Sequence, residues 1–174
     1  LCVRQSNEME IIKMKLRMSA CIEAQKDQVW KVLSDISNVN LWVDPIVSVN
    51  CEKNNKYGVG AIRTCKLKGN MTIKEKWVEW DEGNSFTYHA EETSIFKSAK
   101  NKWTVKSENQ KTLIITESEV TLKGGIFGKI LEPLMYLVSK KMGAESLAAL
   151  KYLVETGKPF EKKFSKLPRV SIIC

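Results

Sequence analysis

The chain has 174 residues, of which 43% are hydrophobic and 28% charged, and a formal net charge of +8. These values suit one domain with a sizeable core and exclude wholesale disorder. The most apolar stretch, Gly125 to Val138, is broken by Lys129, Glu132 and Pro133, so nothing approaches the ~18 uninterrupted residues of a membrane span.

The opening, Leu1 to Glu10, lacks the apolar core of a secretory signal and reads as a flexible leader. From Ile11 to Glu23 the pattern alternates. Ile12, Met14, Leu16, Met18, Ala20 and Ile22 form one face, with Lys13, Lys15 and Arg17 opposite, as in a half-buried strand. Gln25 to Ser34 changes period and predicts a short helix burying Val29, Trp30, Val32 and Leu33. A second helical turn, Asn38 to Trp42, is stopped by Asp44-Pro45. Strands are then expected at Ile46–Glu52, Ala61–Lys68, Met71–Trp80, Ser85–Glu91, Ile95–Lys106 and Thr112–Leu122. Short turn-rich joints between them, Gly69-Asn70 among them, imply antiparallel neighbours. After Gly124-Gly125 one long helix is predicted over about Phe127 to Glu155, interrupted by Pro133 and closed by Gly157 and Pro159. The parse is a leader over 1–10, one domain over 11–157 and a basic tail over 158–174 carrying Lys162, Lys163, Lys166 and Arg169.

Several chemistries are disfavoured. The five cysteines, Cys2, Cys21, Cys51, Cys65 and Cys174, form no C-x-x-C pair, and His89 is the single histidine. Neither a metal site nor a disulfide framework is expected, and Cys21, Cys51 and Cys65 read as small core residues. Without a second histidine a Ser-His or Cys-His hydrolase has nothing to draw on, and His89 falls on the outward strand row. Gly58-x-Gly60 precedes a strand rather than a helix, so it reads as a flexible lip and not a phosphate loop. Arginine occurs only at Arg4, Arg17, Arg63 and Arg169, which leaves little for bidentate contact with bases, and no specific nucleic-acid partner is expected. The dispersed lysines read as a solvated basic surface. Contact with an anionic membrane or an acidic protein stays open.

The order β-αα-β-β-β-β-β-β-α resembles the START-like or SRPBCC superfamily and, within it, the polyketide cyclase/dehydrase and lipid-transport group. The resemblance rests on Asp27-Gln28-Val29-Trp30-Lys31-Val32-Leu33-Ser34-Asp35, Trp42, Pro45, Gly58-Val59-Gly60-Ala61-Ile62-Arg63, and Ile73 through Asp81 running on to Phe86 and Tyr88. It spans roughly Met14 to Thr156. It implies an α+β helix-grip fold, about seven curved antiparallel strands around a long C-terminal helix. Between them it implies a cavity for a lipid, polyketide or other hydrophobic small molecule, with no cofactor. Members include both enzymes and carriers, so catalysis does not follow.

Within that frame Trp77 or Trp80, Phe86, Tyr88, Trp103, Leu134 and Val138 are the expected apolar lining. Lys141 and Glu145, four apart on the terminal helix, are a candidate polar handle, with snorkelling to solvent as the simpler reading. Glu75 interrupts the row Met71, Ile73, Glu75, Trp77. If that row faces inward it is a desolvated carboxylate, able to hold a ligand hydroxyl or to work with Tyr88 as an acid/base pair. Strand parity leaves its direction open, because one bulge reverses it. Three functions therefore remain: a binder or transporter of a hydrophobic molecule, a cyclase/dehydratase-type enzyme, and an interaction module with a filled core. A cytoplasmic location is the default expectation.

Overall fold

A computed structural model describes residues 13–52, 56–123, 125–161 and 174, with side chains at 125–129 left out. The elements run β1 (Lys13–Ile22), α1 (Lys26–Ser34), a 3-10 turn (Ile36–Leu41), β2 (Ile46–Cys51), β3 (Ile62–Leu67), β4 (Thr72–Asp81), β5 (Ser85–Ala90), β6 (Phe96–Glu108), β7 (Lys111–Leu122) and α2 (Gly125–Thr156). The expected leader, 1–10, and Lys162, Lys163, Lys166 and Arg169 of the expected tail lie outside the described residues.

The strands form one seven-stranded antiparallel sheet in the order β1-β7-β6-β5-β4-β3-β2. Everything from β2 onward is a meander, and β1 closes the far side by pairing with β7. Alternation in β1 is as the sequence predicts: Met14, Leu16, Ala20 and Ile22 are buried, while Lys13, Lys15 and Arg17 are exposed and pair with Glu119 and Glu117 on β7. Register carries the inward face across the sheet, Met18 to Thr116 to Trp103 to Phe86. A bulge between Trp77 and Glu79 then realigns β4, so that Trp80 sits opposite Phe86 and Trp77 opposite Tyr88. Trp77 and Trp80, three residues apart, therefore share the inner face. Simple alternation made them alternatives; the extra residue removes the choice.

One end of the inner face is closed by α1 and the 3-10 turn. Val29, Trp30, Leu33, Ile36 and Val39 pack there with Ile22, Val105, Ile114, Leu147, Leu150 and Leu153. α1 opens on a capping box in which the Gln25 and Gln28 side chains exchange hydrogen bonds with backbone N–H groups. Helix α2 lies along β1. At Gly143 an added Cβ would meet the Met18 side chain at 2.0 Å, so the missing side chain is what lets the helix approach this closely. The carboxyl-terminal half of α2 is buried through Leu147, Ala148, Ala149, Leu150 and Leu153.

The cysteine expectation needs correcting. Cys21 is joined to Cys174 by a disulfide, with Cα atoms 5.3 Å apart. Cys21 lies on the outward row of β1, yet it is buried, and the pairing spans almost the whole chain. No local spacing motif could announce such a bond. Cys51 and Cys65 are free thiols, and Cys65 is buried.

Candidate ligand-binding site

The inner face of the sheet is an aromatic wall. Edge-on and stacked ring contacts link Trp30 to Trp80 and Phe86 (5.6 and 5.8 Å), Trp77 to Tyr88 (4.9 Å), Phe86 to Trp103 (6.5 Å) and Trp42 to Trp103 (5.4 Å). All five tryptophans of the chain join this cluster.

Into that wall the strands place polar groups. Glu75 faces inward and is 9% exposed. Its partner is Arg63, directly opposite on β3. Arg63 Nε and Nη2 lie 2.7 and 2.6 Å from the same Glu75 oxygen, Oε2, and Nη1 donates to the Ile36 carbonyl at 3.1 Å. The guanidinium stands 4.9 Å from the Trp77 ring centre and 5.7 Å from that of Tyr88. Burial, followed by the neighbouring Glu75 charge, pushes the Tyr88 phenol well above its ordinary range, so it stays protonated. The same two causes push the Cys65 thiol up to about 12, leaving it unreactive.

A second polar strip crosses the neighbouring strands. Ser118, Asn101 and Tyr88 are successive partners in register on β7, β6 and β5, and the Ser118 hydroxyl donates to Asn101 Oδ1 at 2.6 Å. All three are half-buried, as are Met18 and Val120 on the same face, between the closed end and a buried rim formed by Met14, Ala90 and Ala99. The Trp77 and Trp42 indole N–H groups are buried without a hydrogen-bond acceptor. At the edge of the groove a cavity of about 110 Å³ opens between the 3-10 turn and α2, lined by Trp42, Pro45, Met142, Glu145, Ser146 and Phe160 among others.

Of the residues expected in the site, Glu75, Trp77, Phe86, Tyr88 and Trp103 are brought together. Glu145 borders the edge cavity instead. Leu134 and Val138 are 57% and 51% exposed on α2, and Lys141 is exposed. They do not meet the aromatic wall, because the stripe of α2 turned to the sheet runs through the less exposed Met135, Ser139, Gly143 and Leu147, about a third to half a turn away. His89 is exposed on the outer face. Arg63, Asn101 and Ser118 were missed. Asn101 interrupts the apolar row Ala99, Trp103, Val105, the signal that singled out Glu75, whereas Ser118 shares its row with Thr112 and Thr116 and carries no such mark. Arg63 could be matched to Glu75 only once the hairpin register was known. Among the described residues no cluster of His, Cys, Asp and Glu could hold a metal ion.

A seven-stranded antiparallel sheet gripping a terminal helix, with an aromatic and sparsely polar inner face, defines a helix-grip fold. A family model for polyketide cyclase / dehydrase and lipid transport matches residues 13–155, and the chain belongs to that family. Among curated proteins none matches significantly. Similar solved structures include Ara h 8.0201 (14% identity, TM-score 0.67, 83% of this chain and 99% of that one). A second is the ZhuI aromatase/cyclase from Streptomyces sp. R1128 (16% identity, TM-score 0.70, 83% and 94%). A third is the protein XoxI from Bacillus cereus (15% identity, TM-score 0.65, 82% and 96%). At these identities the likeness is one of fold.

Proposed function

We propose that this protein binds a hydrophobic small molecule, a lipid or a polyketide-like aromatic, on the half-buried strip of the inner face beneath α2. The observation that carries the reading is the inward row Ser118-Asn101-Tyr88 set in the aromatic wall. A few polar groups in an apolar recess fix a ligand's orientation while the walls supply affinity. Asn101 offers amide donors and Tyr88 a protonated hydroxyl, and the unpartnered indole N–H of Trp77 adds a donor that a ligand oxygen would satisfy.

Binding is favoured over catalysis for a physical reason. An acid/base pair needs groups poised near working pH. Glu75 is held in a buried ion pair by Arg63, and Tyr88 is driven away from ionisation. Tyr88 is therefore poorly suited to act as a base. The cyclase and dehydrase members of the family and the likeness to an aromatase/cyclase keep cyclisation as the competing reading.

The test is to purify the protein without detergent, extract it and identify the bound compound by mass spectrometry. One dominant apolar compound near one equivalent, recovered unchanged after rebinding, supports the proposal. Conversion of the rebound compound would favour the enzyme, and an empty protein that takes up no apolar compound would favour a filled interaction module.

A further inference from the structure

The segment 130–142 of α2 is built the wrong way round for a helix that only caps a sheet. The stripe it turns to β1 includes Glu132, Met135, Ser139 and Gly143, whereas Ile130, Leu134, Leu137 and Val138 look away and are 70%, 57%, 62% and 51% exposed. A surface helix ordinarily does the reverse. At the end of this apolar segment stand two exposed lysines, Lys140 and Lys141. Its acid, Glu132, is on the half-buried side. The segment from Ile130 to Met142 is about 20 Å long, too short to cross a bilayer of ~30 Å, and no helix among the described residues is long and apolar enough to do so.

We infer that the segment 130–142 of α2 is a docking surface for an anionic lipid bilayer, lying in the plane of the headgroups with its leucines inserted and its lysines on the phosphates. Charge complementarity selects this occupant: the segment ends in a lysine pair and the whole chain carries +8, so an anionic surface attracts it at range and the apolar side chains hold it on contact. The inference goes beyond the ligand reading and does not depend on it.

The experiment is co-sedimentation of the full chain with vesicles of phosphatidylcholine alone and of phosphatidylcholine mixed with phosphatidylserine. The docked state predicts binding to the mixed vesicles, at least about tenfold weaker binding to neutral ones, and weakening by salt. Lys140→Glu with Lys141→Glu should lose about tenfold or more, and Leu134→Asp with Leu137→Asp should abolish binding. Because these side chains are exposed, both double variants should melt with the parent. Failure to bind mixed vesicles, or binding indifferent to the leucine variant, overturns the inference. So does a vesicle-free dimer that the leucine variant dissociates, which would assign the face to a second copy. Loss of vesicle binding with ligand uptake intact would separate this failure from that of the ligand reading.

Discussion

At the scale of single residues, the Arg63–Glu75 pair decides how the interior behaves. Both side chains are almost fully buried, so removing one leaves the other charged and without its partner. Glu75→Gln should destabilise the protein by about 3–5 kcal/mol, read as a lower urea midpoint with an unchanged slope. Replacing both, Arg63→Met with Glu75→Leu, should recover most of that loss, because the desolvation cost disappears with the charges. Viewed as a lone acid in an apolar row, Glu75 looks like a ligand contact. With Arg63 opposite, Glu75 is engaged in an ion pair, and under the proposed ligand reading Tyr88, Asn101 and Ser118 are the groups left to contact the ligand. The sequence shows that Glu75 interrupts the row, but not its partner. A two-residue Gly69-Asn70 turn would pair Arg63 with Lys76, whereas the observed turn places it against Glu75. Gly69 and Asn70 both take positive φ there, 85° and 65°, and the register follows from that turn geometry.

At the scale of elements, the β6–β7 hairpin and the loop before β3 make separate predictions. The hairpin turns through Asn109 and Gln110 at φ 47° and 65°. Left-handed geometry is tolerable for Asn but costs a longer side chain about 1 kcal/mol. Gln110→Gly should therefore raise stability by about 0.5–1 kcal/mol, a shift of roughly 1–4 °C in the thermal midpoint. Polar residues at 107–110 announced a turn, but not that both strands continue to within two residues of each other. The loop before β3 meets α1 and the β4–β5 hairpin at one carboxylate. Glu82 accepts from the indole N–H groups of Trp30 and Trp80, at 2.7 and 2.8 Å, and from the Tyr57 hydroxyl. The hydrogen bonds from Trp80 and then Tyr57 hold its carboxyl below the ordinary range. A lowered folded pKa contributes stability above the ordinary carboxylate range, and that contribution is lost as pH falls through the folded value. Tryptophan fluorescence should therefore change on acidification before global unfolding. Glu82→Gln should remove that early step. An identical acid titration in parent and variant would mean the clamp does not form in solution.

At the scale of the whole molecule, the order of elements and the closing helix were legible because each is written in local periodicity, 2 for the strands and 3.6 for α2. The disulfide, the register of the inner face and the rotation of α2 were not, since each depends on residues far apart in sequence. Cys21 and Cys174 are separated by 153 positions. By the chain-entropy account, Cys174→Ser should cost roughly 2–4 kcal/mol, seen as a reductant-insensitive and lower melting temperature than the oxidised parent. Persistence of such a bond requires an oxidising setting. Truncation after Leu122 should abolish cooperative unfolding, because Leu147, Leu150 and Leu153 fill the closed end of the sheet and each buried leucine contributes about 1.5–3 kcal/mol. A hydrophobic molecule held on the aromatic inner face would lie against its tryptophans, which report on it directly. Titration with a brominated fatty acid, whose bromines quench indole on contact, should give saturable quenching at about one equivalent, reversed by an unlabelled apolar competitor. In Ser118→Trp, which fills the half-buried strip, that quenching should vanish while the fold persists. Folded protein that shows no saturable quenching, or a Ser118→Trp variant quenched like the parent, would contradict the account.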